Sequence, residues 1–262
     1  MQLTACRALI SGASGGIGQA LVEQLCAGGA QLLLTGRDQA ALEALQKRFP
    51  TQISLVCADL SQADGRAQVV HAARAFAPLN CLINAAGINQ FCLFAEQDEQ
   101  AIDRLITLNV SAPLQLTRQL LPLLQAQPQA LIVNLGSIFG SIGHAGFSTY
   151  CASKFALRGF SEALRRELAD SPVRVLYLAP RATRTTMNSA RVQAMNEALQ
   201  VSMDEPQQVA RQICQAIIHE QPERYLGWPE KLFVRLNSLL PRLVDKAVRG
   251  QLMTIKRFAG RT

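Results

Sequence analysis

The sequence predicts an α/β fold: a doubly wound, parallel, seven-stranded sheet with helices packed on both faces. Short apolar runs alternate along the chain with longer segments of helical periodicity, as in repeated strand–helix units. The runs are apolar at successive positions, which is typical of strands that are buried on both faces. The predicted strands are 8–12, 31–36, 53–60, 80–87, 130–137, 173–180 and 224–228.

A helical segment follows each of the first six predicted strands. Asp38 precedes the second helix as its predicted N-cap. Two consecutive helical patterns follow the fourth strand, QAIDRLITLNV and LQLTRQLLPLLQ, and a polar stretch precedes the helix after the sixth. No long linker or repeat interrupts this order, so we predict one domain over residues 1–228 and an appended helical extension over 229–262.

The composition favours a folded cytoplasmic protein. Apolar residues make up 49% of the 262 residues and charged residues 17%, which argues against disorder. The seven cysteines are odd in number and include no C-x-x-C pair, so we expect neither a disulfide framework nor a metal site. The N-terminal segment has no basic leader region, and no apolar run is long enough to span a bilayer.

The segment SGASGGIG (11–18) lies between the first strand and the first helix. Glycines at 12, 16 and 18 permit a tight turn, and the start of the helix offers free N–H groups to a pyrophosphate. Ligands of such sheets bind outside the carboxyl ends of the strands, so this segment predicts a dinucleotide site. Its spacing is G-x-x-x-G-x-G, which differs from the common G-x-G-x-x-G.

The residue after the second strand indicates which dinucleotide binds. An acidic residue there would bind a ribose 2′-hydroxyl, whereas a basic one can pair with a 2′-phosphate. The sequence LLLTGRD places Gly36 and Arg37 at this point, which favours NADP(H) over NAD(H).

Tyr150 and Lys154 are four residues apart in a predicted helix and so project from one face. An adjacent ammonium is expected to lower the pKa of the phenol from about 10, which would let Tyr150 act as a general acid or base. Ser137 ends the fifth predicted strand, where its hydroxyl could bind a substrate carbonyl oxygen.

In these segments the chain resembles the short-chain dehydrogenase/reductase family over roughly residues 5–228. SGASGGIG is similar to the family's TGxxxGIG, NAAG (84–87) to its NNAG, and TLNV to the segment around its helix asparagine. The resemblance implies a Rossmann-type NADP-binding catalytic domain in which Lys154 also binds the nicotinamide ribose and Asn109 holds a proton-relay water. The implied catalytic residues are Asn109, Ser137, Tyr150 and Lys154. The implied cofactor contacts are Gly12, Ser14, Gly16, Ile17, Gly18, Arg37, Asp59, Leu60, Asn84, Ala85, Gly87, Tyr150, Lys154, Pro180, Thr183 and Thr185.

One segment departs from the family. The family's PGxxxT is PRATRT (180–185) here, with Arg181 in place of glycine. A positive φ at this position would strain an arginine; alternatively, Arg181 reaches an anionic group on the substrate. The segments expected around the substrate are rich in aromatic residues and poor in acids, which predicts an apolar ligand. The candidate pocket residues are Phe91, Phe94, Phe139, His144, Phe147, Arg181 and Met187, with His144 as a wall residue.

The extension is basic and amphipathic. Residues 229–262 hold eight of the 26 Lys and Arg residues but only two of the 19 acids. Leucines at 232, 236, 239 and 243 form an apolar stripe, and Pro241 predicts a kink. The stripe packs on the domain or on a sister subunit, or it meets an anionic membrane surface or an acidic carrier protein. No groove motif for nucleic acid is present.

These observations predict NADPH-dependent reduction of a ketone or aldehyde on an apolar substrate, reversible to alcohol oxidation. The alternative enzyme is a 3-oxoacyl reductase that acts on carrier-bound thioesters. A non-catalytic NADP(H)-sensing protein is the alternative of another class, although it would have no use for the Ser, Tyr and Lys set. The resemblance also implies a homodimer or homotetramer formed through the helices near 98–126 and 148–170.

Overall fold

The computed structural model describes residues 1–228 and 230–260 of the chain. One sheet has the order β3-β2-β1-β4-β5-β6-β7, with every neighbouring pair parallel. The strands are β1 (Arg7–Ser11), β2 (Gln31–Gly36), β3 (Ile53–Cys57), β4 (Cys81–Asn84), β5 (Ala130–Leu135), β6 (Val173–Ala179) and β7 (Glu223–Tyr225).

Helices cover the sheet and extend beyond it at the C-terminal end. They are α1 (Gly16–Ala27), α2 (Gln39–Arg48), α3 (Ala63–Phe76), α4 (Glu99–Ile106), α5 (Ala112–Gln125), α6 (Ser148–Glu167), α7 (Ala190–Ala198), α8 (Pro206–Ile218), α9 (Glu230–Leu239), α10 (Pro241–Arg249) and α11 (Leu252–Ala259). No helix in the described ranges is long and apolar enough to cross a membrane.

Alternate strand residues face two separate helix layers. In β1, Ala8 and Ile10 join the core formed with α1, α2 and α8, whereas Leu9 joins the core formed with α3, α5 and α6. This alternation follows from the two-residue period of a strand, and both sets are apolar because both faces are covered. The predicted doubly wound sheet is confirmed.

Several elements end earlier than the apolar runs suggest. β5 stops at Leu135, two residues before Ser137, because the chain leaves the sheet there to form a loop. The helical region predicted near 98–126 is divided by a π-helical turn, Thr107–Ser111. The kink predicted at Pro241 is a complete break between α9 and α10.

The extension is joined to the domain through its last helix. α11 packs against α7, and Ile255 and Ala259 are fully buried. Pro229, at the predicted start of the extension, and Arg261 and Thr262, at its end, lie outside the described residues.

Candidate active site

The glycine segment forms a tight turn between β1 and α1. Gly12 has a φ of 70°, which favours glycine, and a Cβ there would lie 2.7 Å from Ala86 Cα. A Cβ on Gly18 would overlap Gly12 O. Ser11 Oγ accepts hydrogen bonds from the N–H groups of Ala85 and Ala86. The turn is thereby fixed against the segment that follows β4.

The first turn of α1 has no side-chain cap. The helix begins at Gly16, and its N-cap residue is Gly15, which has no side chain that could accept from the first N–H groups. These donors and the partial positive charge of the helix suit a pyrophosphate. Thr185 lies opposite, since a Cβ on Gly16 would be 2.8 Å from Thr185 Cγ2. A groove of about 470 Å³ runs beside these two residues.

The end of β2 meets the glycine turn. A Cβ on Gly36 would lie 2.7 Å from Ser14 Oγ, and the next residue, Arg37, is exposed. Burial alone would raise the pKa of Asp59, but hydrogen bonds with Ser61 and the charge of Arg37 outweigh it, so the pKa is lowered. Arg37 and Asp59 are therefore close enough to interact beside the turn.

Asp38 and Leu60 have structural partners at this edge. Asp38 Oδ1 accepts from Ala41 N at 3.0 Å and caps α2, as predicted. The Leu60 side chain is buried, and its carbonyl accepts from Arg66 Nη1 at 2.7 Å.

Ser137, Tyr150 and Lys154 meet beyond the carboxyl end of β5. Lys154 Nζ lies 5.7 Å from the centre of the Tyr150 ring, and the Tyr150 hydroxyl is hydrogen-bonded to the Ser137 side chain. Lys154 Nζ donates to Leu135 O at 3.0 Å, so two of its three N–H groups remain for a ligand. A Cβ on Gly87 would lie 3.7 Å from this nitrogen. The structure thus brings together four residues that the sequence analysis selected.

Burial dominates the pKa values of the pair on α6. It raises the pKa of Tyr150 to about 12, against a smaller lowering by the hydrogen bond with Ser137. It also lowers the pKa of Lys154 to about 8. The pKa of Tyr150 is thus raised in this structure, whereas the sequence analysis expected Lys154 to lower it, because loss of water disfavours the phenolate. At neutral pH the phenol therefore carries its proton.

Asn109 lies within the π-helical turn and connects two parts of the site. Its Nδ2 donates to Ile88 O at 2.8 Å and to Ser153 Oγ at 3.1 Å, while its Oδ1 accepts from Ile88 N at 2.9 Å. Ser153 Oγ in turn donates to Tyr150 O at 2.7 Å. Both amide N–H groups of Asn109 are thus used by the protein, and the side chain positions the loop after β4 against α6.

Asn84 belongs to a polar network beneath the cleft. Its Nδ2 donates to Asn134 Oδ1 at 2.8 Å and to Thr117 Oγ1 at 3.2 Å. Asn134 Nδ2 continues the network to Ser161 Oγ at 2.8 Å. These bonds tie β4 and β5 to α5 and α6, and the cofactor contact of Asn84 stays a prediction.

Four of the predicted pocket residues pack around Tyr150. The rings of Phe139 and Phe147 each have their centroids 6.3 Å from that of Tyr150. Phe91 lies 4.9 Å from Phe147, and His144 stacks on Phe139 at 4.9 Å. Burial lowers the pKa of His144, so this residue is a neutral part of an aromatic wall, as expected.

Phe94 and Met187 do not join this aromatic wall. Their side chains are 64% and 43% exposed. Phe94 lies in a short 3₁₀ turn at the surface, and Met187 lies in the irregular segment before α7. That they line the substrate pocket stays a prediction.

Arg181 is bound within the protein. Its Nε and Nη2 donate to the two carboxylate oxygens of Asp204 at 3.0 and 2.7 Å, and its Nη1 donates to Trp228 O at 3.1 Å. In the described part of the chain, the non-glycine residues with positive φ are Gln200 and Glu220. Backbone strain at Arg181 and its contact with a substrate anion are both corrected, because Asp204 holds the guanidinium.

The rest of the loop after β6 is internally bonded. Pro180 O accepts from Ile138 N at 3.1 Å, which joins this loop to the one that carries Ser137. Thr183 Oγ1 donates to Arg181 O at 3.0 Å, and Asn188 Nδ2 donates to Thr183 O at 2.8 Å. Of the threonines predicted to contact cofactor, Thr185 lies against the glycine turn, whereas Thr183 is buried inside its own loop.

Tyr177 in β6 was missed by the sequence analysis. Its hydroxyl donates to Ser137 O at 3.3 Å, and its ring fills the space that a Cβ on Gly136 or Gly140 would need. The available signal was the presence of two glycines in the loop after β5, which leave space for a large side chain from the neighbouring strand.

Ile255 of α11 was also missed. It is fully buried in a cluster with Phe147 and Met195, against which Tyr150 packs. Arg191 Nε fixes α11 to α7 by donating to Phe258 O at 2.8 Å. No local signal could have found Ile255, because its contacts are remote in sequence.

The chain is similar in sequence and fold to known proteins. A family model described as short chain dehydrogenase matches residues 7–196. The uncharacterized oxidoreductase YmfI of Bacillus subtilis (strain 168) is 35% identical over 185 residues, which are 69% of this chain and 76% of YmfI. A short-chain dehydrogenase from Sphingobium yanoikuyae, solved in complex with NADPH, is 28% identical with a TM-score of 0.80 and covers 95% of each chain. A 3-ketoacyl-(acyl-carrier-protein) reductase from Brucella melitensis, complexed with NADH, is 25% identical with a TM-score of 0.76, over 82% of this chain and 91% of that one.

Proposed function

Since the chain belongs to the short-chain dehydrogenase/reductase family, we propose that it uses NADPH to reduce a ketone or aldehyde on an apolar, lipid-like substrate. The reaction is reversible to alcohol oxidation. The observation that carries this proposal is the contact of the Tyr150 hydroxyl with Ser137, one helical turn from Lys154 and beside an aromatic wall.

The residues present fit a nicotinamide dinucleotide. The glycine turn has space only for backbone, α1 offers N–H groups without a side-chain cap, and Lys154 keeps two N–H groups for ribose hydroxyls. When bound, the dinucleotide supplies the hydride that reduces the carbonyl carbon. In this arrangement Ser137 donates a hydrogen bond to the carbonyl oxygen, and Tyr150 donates the proton that completes the alcohol.

Tyr150 carries the proton that the reduction needs. Burial raises the pKa of its phenol to about 12, so the hydroxyl is protonated at neutral pH. Alcohol oxidation needs the phenolate as its base, so the rate of oxidation should rise with pH. Asn109 acts in this scheme by holding Ser153 and Ile88 in place, beside the relay water that returns a proton to Tyr150.

Arg37 supports NADP(H) as the preferred cofactor. Its guanidinium is exposed at the end of β2, next to the glycine turn, where a 2′-phosphate would give a charge-assisted contact. Solved structures of similar proteins contain NADPH or NADH, so the proposed preference for NADP(H) over NAD(H) rests on Arg37.

Tyr150→Phe tests the proposal. We expect loss of NADPH oxidation with ketones by at least about 10²-fold, while NADPH binding, followed by cofactor fluorescence, stays within a factor of about two. Tyr225→Phe is the matched control, because Tyr225 bonds Ser141 and Glu223 at the edge of the sheet. Equal turnover of wild type and Tyr150→Phe would refute the assignment.

The alternative enzyme is a 3-oxoacyl reductase for carrier-bound thioesters, which the similarity to the Brucella reductase favours. Turnover of carrier-bound 3-oxoacyl groups far above that of free ketones would select it. A protein that only senses NADP(H) would bind cofactor without oxidising it in the presence of any carbonyl compound.

We extend the proposal to assembly and location. The interfaces of a homodimer or homotetramer would be formed by two helical regions, α4 with α5 and α6. Sedimentation velocity would measure the oligomeric state. All seven cysteines are free, in keeping with the reducing cytoplasm.

A further inference from the structure

The apolar stripe of the extension faces outward. Leu232, Leu239, Leu240 and Leu243 are each more than half exposed, whereas Val234 of the same helical stretch is buried. Leu236 is half-buried, but most of the stripe does not pack on its own domain. On α9, Leu232 and Leu239 occupy one face, and the opposite face is fixed to the domain, where Asn237 Nδ2 donates to Ser141 O at 2.8 Å.

Cations surround the exposed leucines. Lys231, Arg235, Arg242, Lys246 and Arg249 are exposed. None of the five forms an ion pair with another described residue. Large apolar side chains flanked by unpaired cations have the chemistry of a surface that rests on anionic lipid headgroups and inserts into the interface.

Other occupants fit this surface less well. A symmetric contact with a second copy would set like charges against each other. An acidic protein would match the cations, but it would have to cover leucines that protrude from the helices on either side of the break at Pro241. An anionic bilayer matches the cations through its headgroups and takes up the protruding leucines in its interface.

We propose that α9 and α10 dock the protein on anionic membranes through their exposed leucines and cations. A groove of about 460 Å³ lies on the domain side of these helices, between Val244 and Val248 of α10 and Ile142 of the loop after Ser137. Docking places this groove near the bilayer. Resting on the proposed function, this brings an apolar carbonyl compound dissolved in the membrane close to the loop that follows Ser137.

The only tryptophan reports on this contact. Trp228 directly precedes the extension and is 68% exposed, and tryptophan favours the membrane interface. With the full-length protein, phosphatidylglycerol-containing vesicles should shift its emission to the blue and pellet the protein at about 0.01 M ionic strength. At about 1 M, where the Debye length is near 3 Å, most of the protein should be released.

Two double variants separate the contributions. Leu239→Ser with Leu243→Ser should lower vesicle partitioning by about tenfold or more. Arg235→Gln with Arg242→Gln should lower it about 25-fold, at about fivefold per cation, on anionic vesicles only.

Control variants carry changes of the same kind elsewhere. Ile218→Ser alters an exposed apolar residue of α8, and Arg74→Gln with Arg211→Gln removes two exposed cations outside the extension. Both should partition like wild type. All variants should keep wild-type reduction of a water-soluble ketone, and a protein without any reductase activity would still give the binding result.

Three results would overturn the proposal. They are the absence of pelleting at low salt, equal pelleting of wild type and both double variants, and binding to pure phosphatidylcholine as strong as to anionic vesicles. Self-association that the leucine variant abolishes, with no vesicle binding, would show that a second copy covers the surface instead.

Discussion

Removal of the Arg181 guanidinium should destabilise the fold strongly. The partner Asp204 is 3% exposed and accepts two hydrogen bonds from Arg181 at 2.7 and 3.0 Å. In Arg181→Ala this carboxylate would stay buried without its cation, a change that typically costs about 3–5 kcal/mol of unfolding free energy. For a chain of this size, that loss corresponds to a melting temperature lower by roughly 6–20 °C.

The same loop supplies the control. Arg184 pairs with Glu205 at 3.1 Å, but both side chains are about 60% exposed, so Arg184→Ala should cost only about 0–1 kcal/mol. Urea unfolding followed by circular dichroism measures both values. The double variant Arg181→Ala with Asp204→Ala should recover part of the loss, since no buried charge remains. If Arg181→Ala and Arg184→Ala are equally stable, the reasoning about the buried pair fails.

Three further variants test the pKa, packing and cofactor arguments. Burial holds the pKa of Lys154 near 8 instead of 10.5, and keeping this buried ammonium charged lowers the unfolding free energy by roughly 3 kcal/mol at neutral pH. Lys154→Met should therefore raise the unfolding free energy at pH 7 by only about 1–2 kcal/mol, because the hydrogen bond to Leu135 O is lost as well. The same variant should abolish turnover. Between pH 8 and 10.5 the unfolded lysine still binds a proton and the folded one does not, so the wild type should gain stability over this range relative to Lys154→Met; a stability difference between the two proteins that does not change with pH contradicts the assignment. Ile255→Ala should lower the unfolding free energy by about 2–5 kcal/mol. It should also raise kcat/KM for bulkier ketones, because it removes volume from the cluster against which Tyr150 packs. Met253→Ala, at an 80% exposed position, should change neither the unfolding free energy nor kcat/KM. Arg37→Asp should lower the NADPH-to-NADH ratio of kcat/KM by at least about tenfold; an unchanged ratio, or the same drop in Lys47→Asp, would show that Arg37 does not select the cofactor.

Local sequence signals located the centre of the site. Gly12 and Gly18 were predictable because a tight turn between strand and helix leaves no space for side chains. Tyr150 and Lys154 were predictable as neighbours because four residues make about one helical turn. Ser137 was predictable as their neighbour because the carboxyl ends of parallel strands lie at one edge of the sheet.

Long-range packing decided what the sequence analysis got wrong. Arg181 is held by Asp204, 23 residues away. The stripe of the extension had the period of a buried helix face, yet it faces outward, because periodicity indicates that a face is apolar and not which partner covers it.

The amino-acid sequence by itself determined the order of strands and helices, the glycine turn and the spacing of the phenol and the ammonium, since each depends on residues close along the chain. Only the tertiary structure decided the direction in which the pKa of Tyr150 shifts, the role of Arg181 and the place of Ile255 in the wall beside the site. These properties depend on desolvation and on contacts between distant segments, which exist only once the chain has folded.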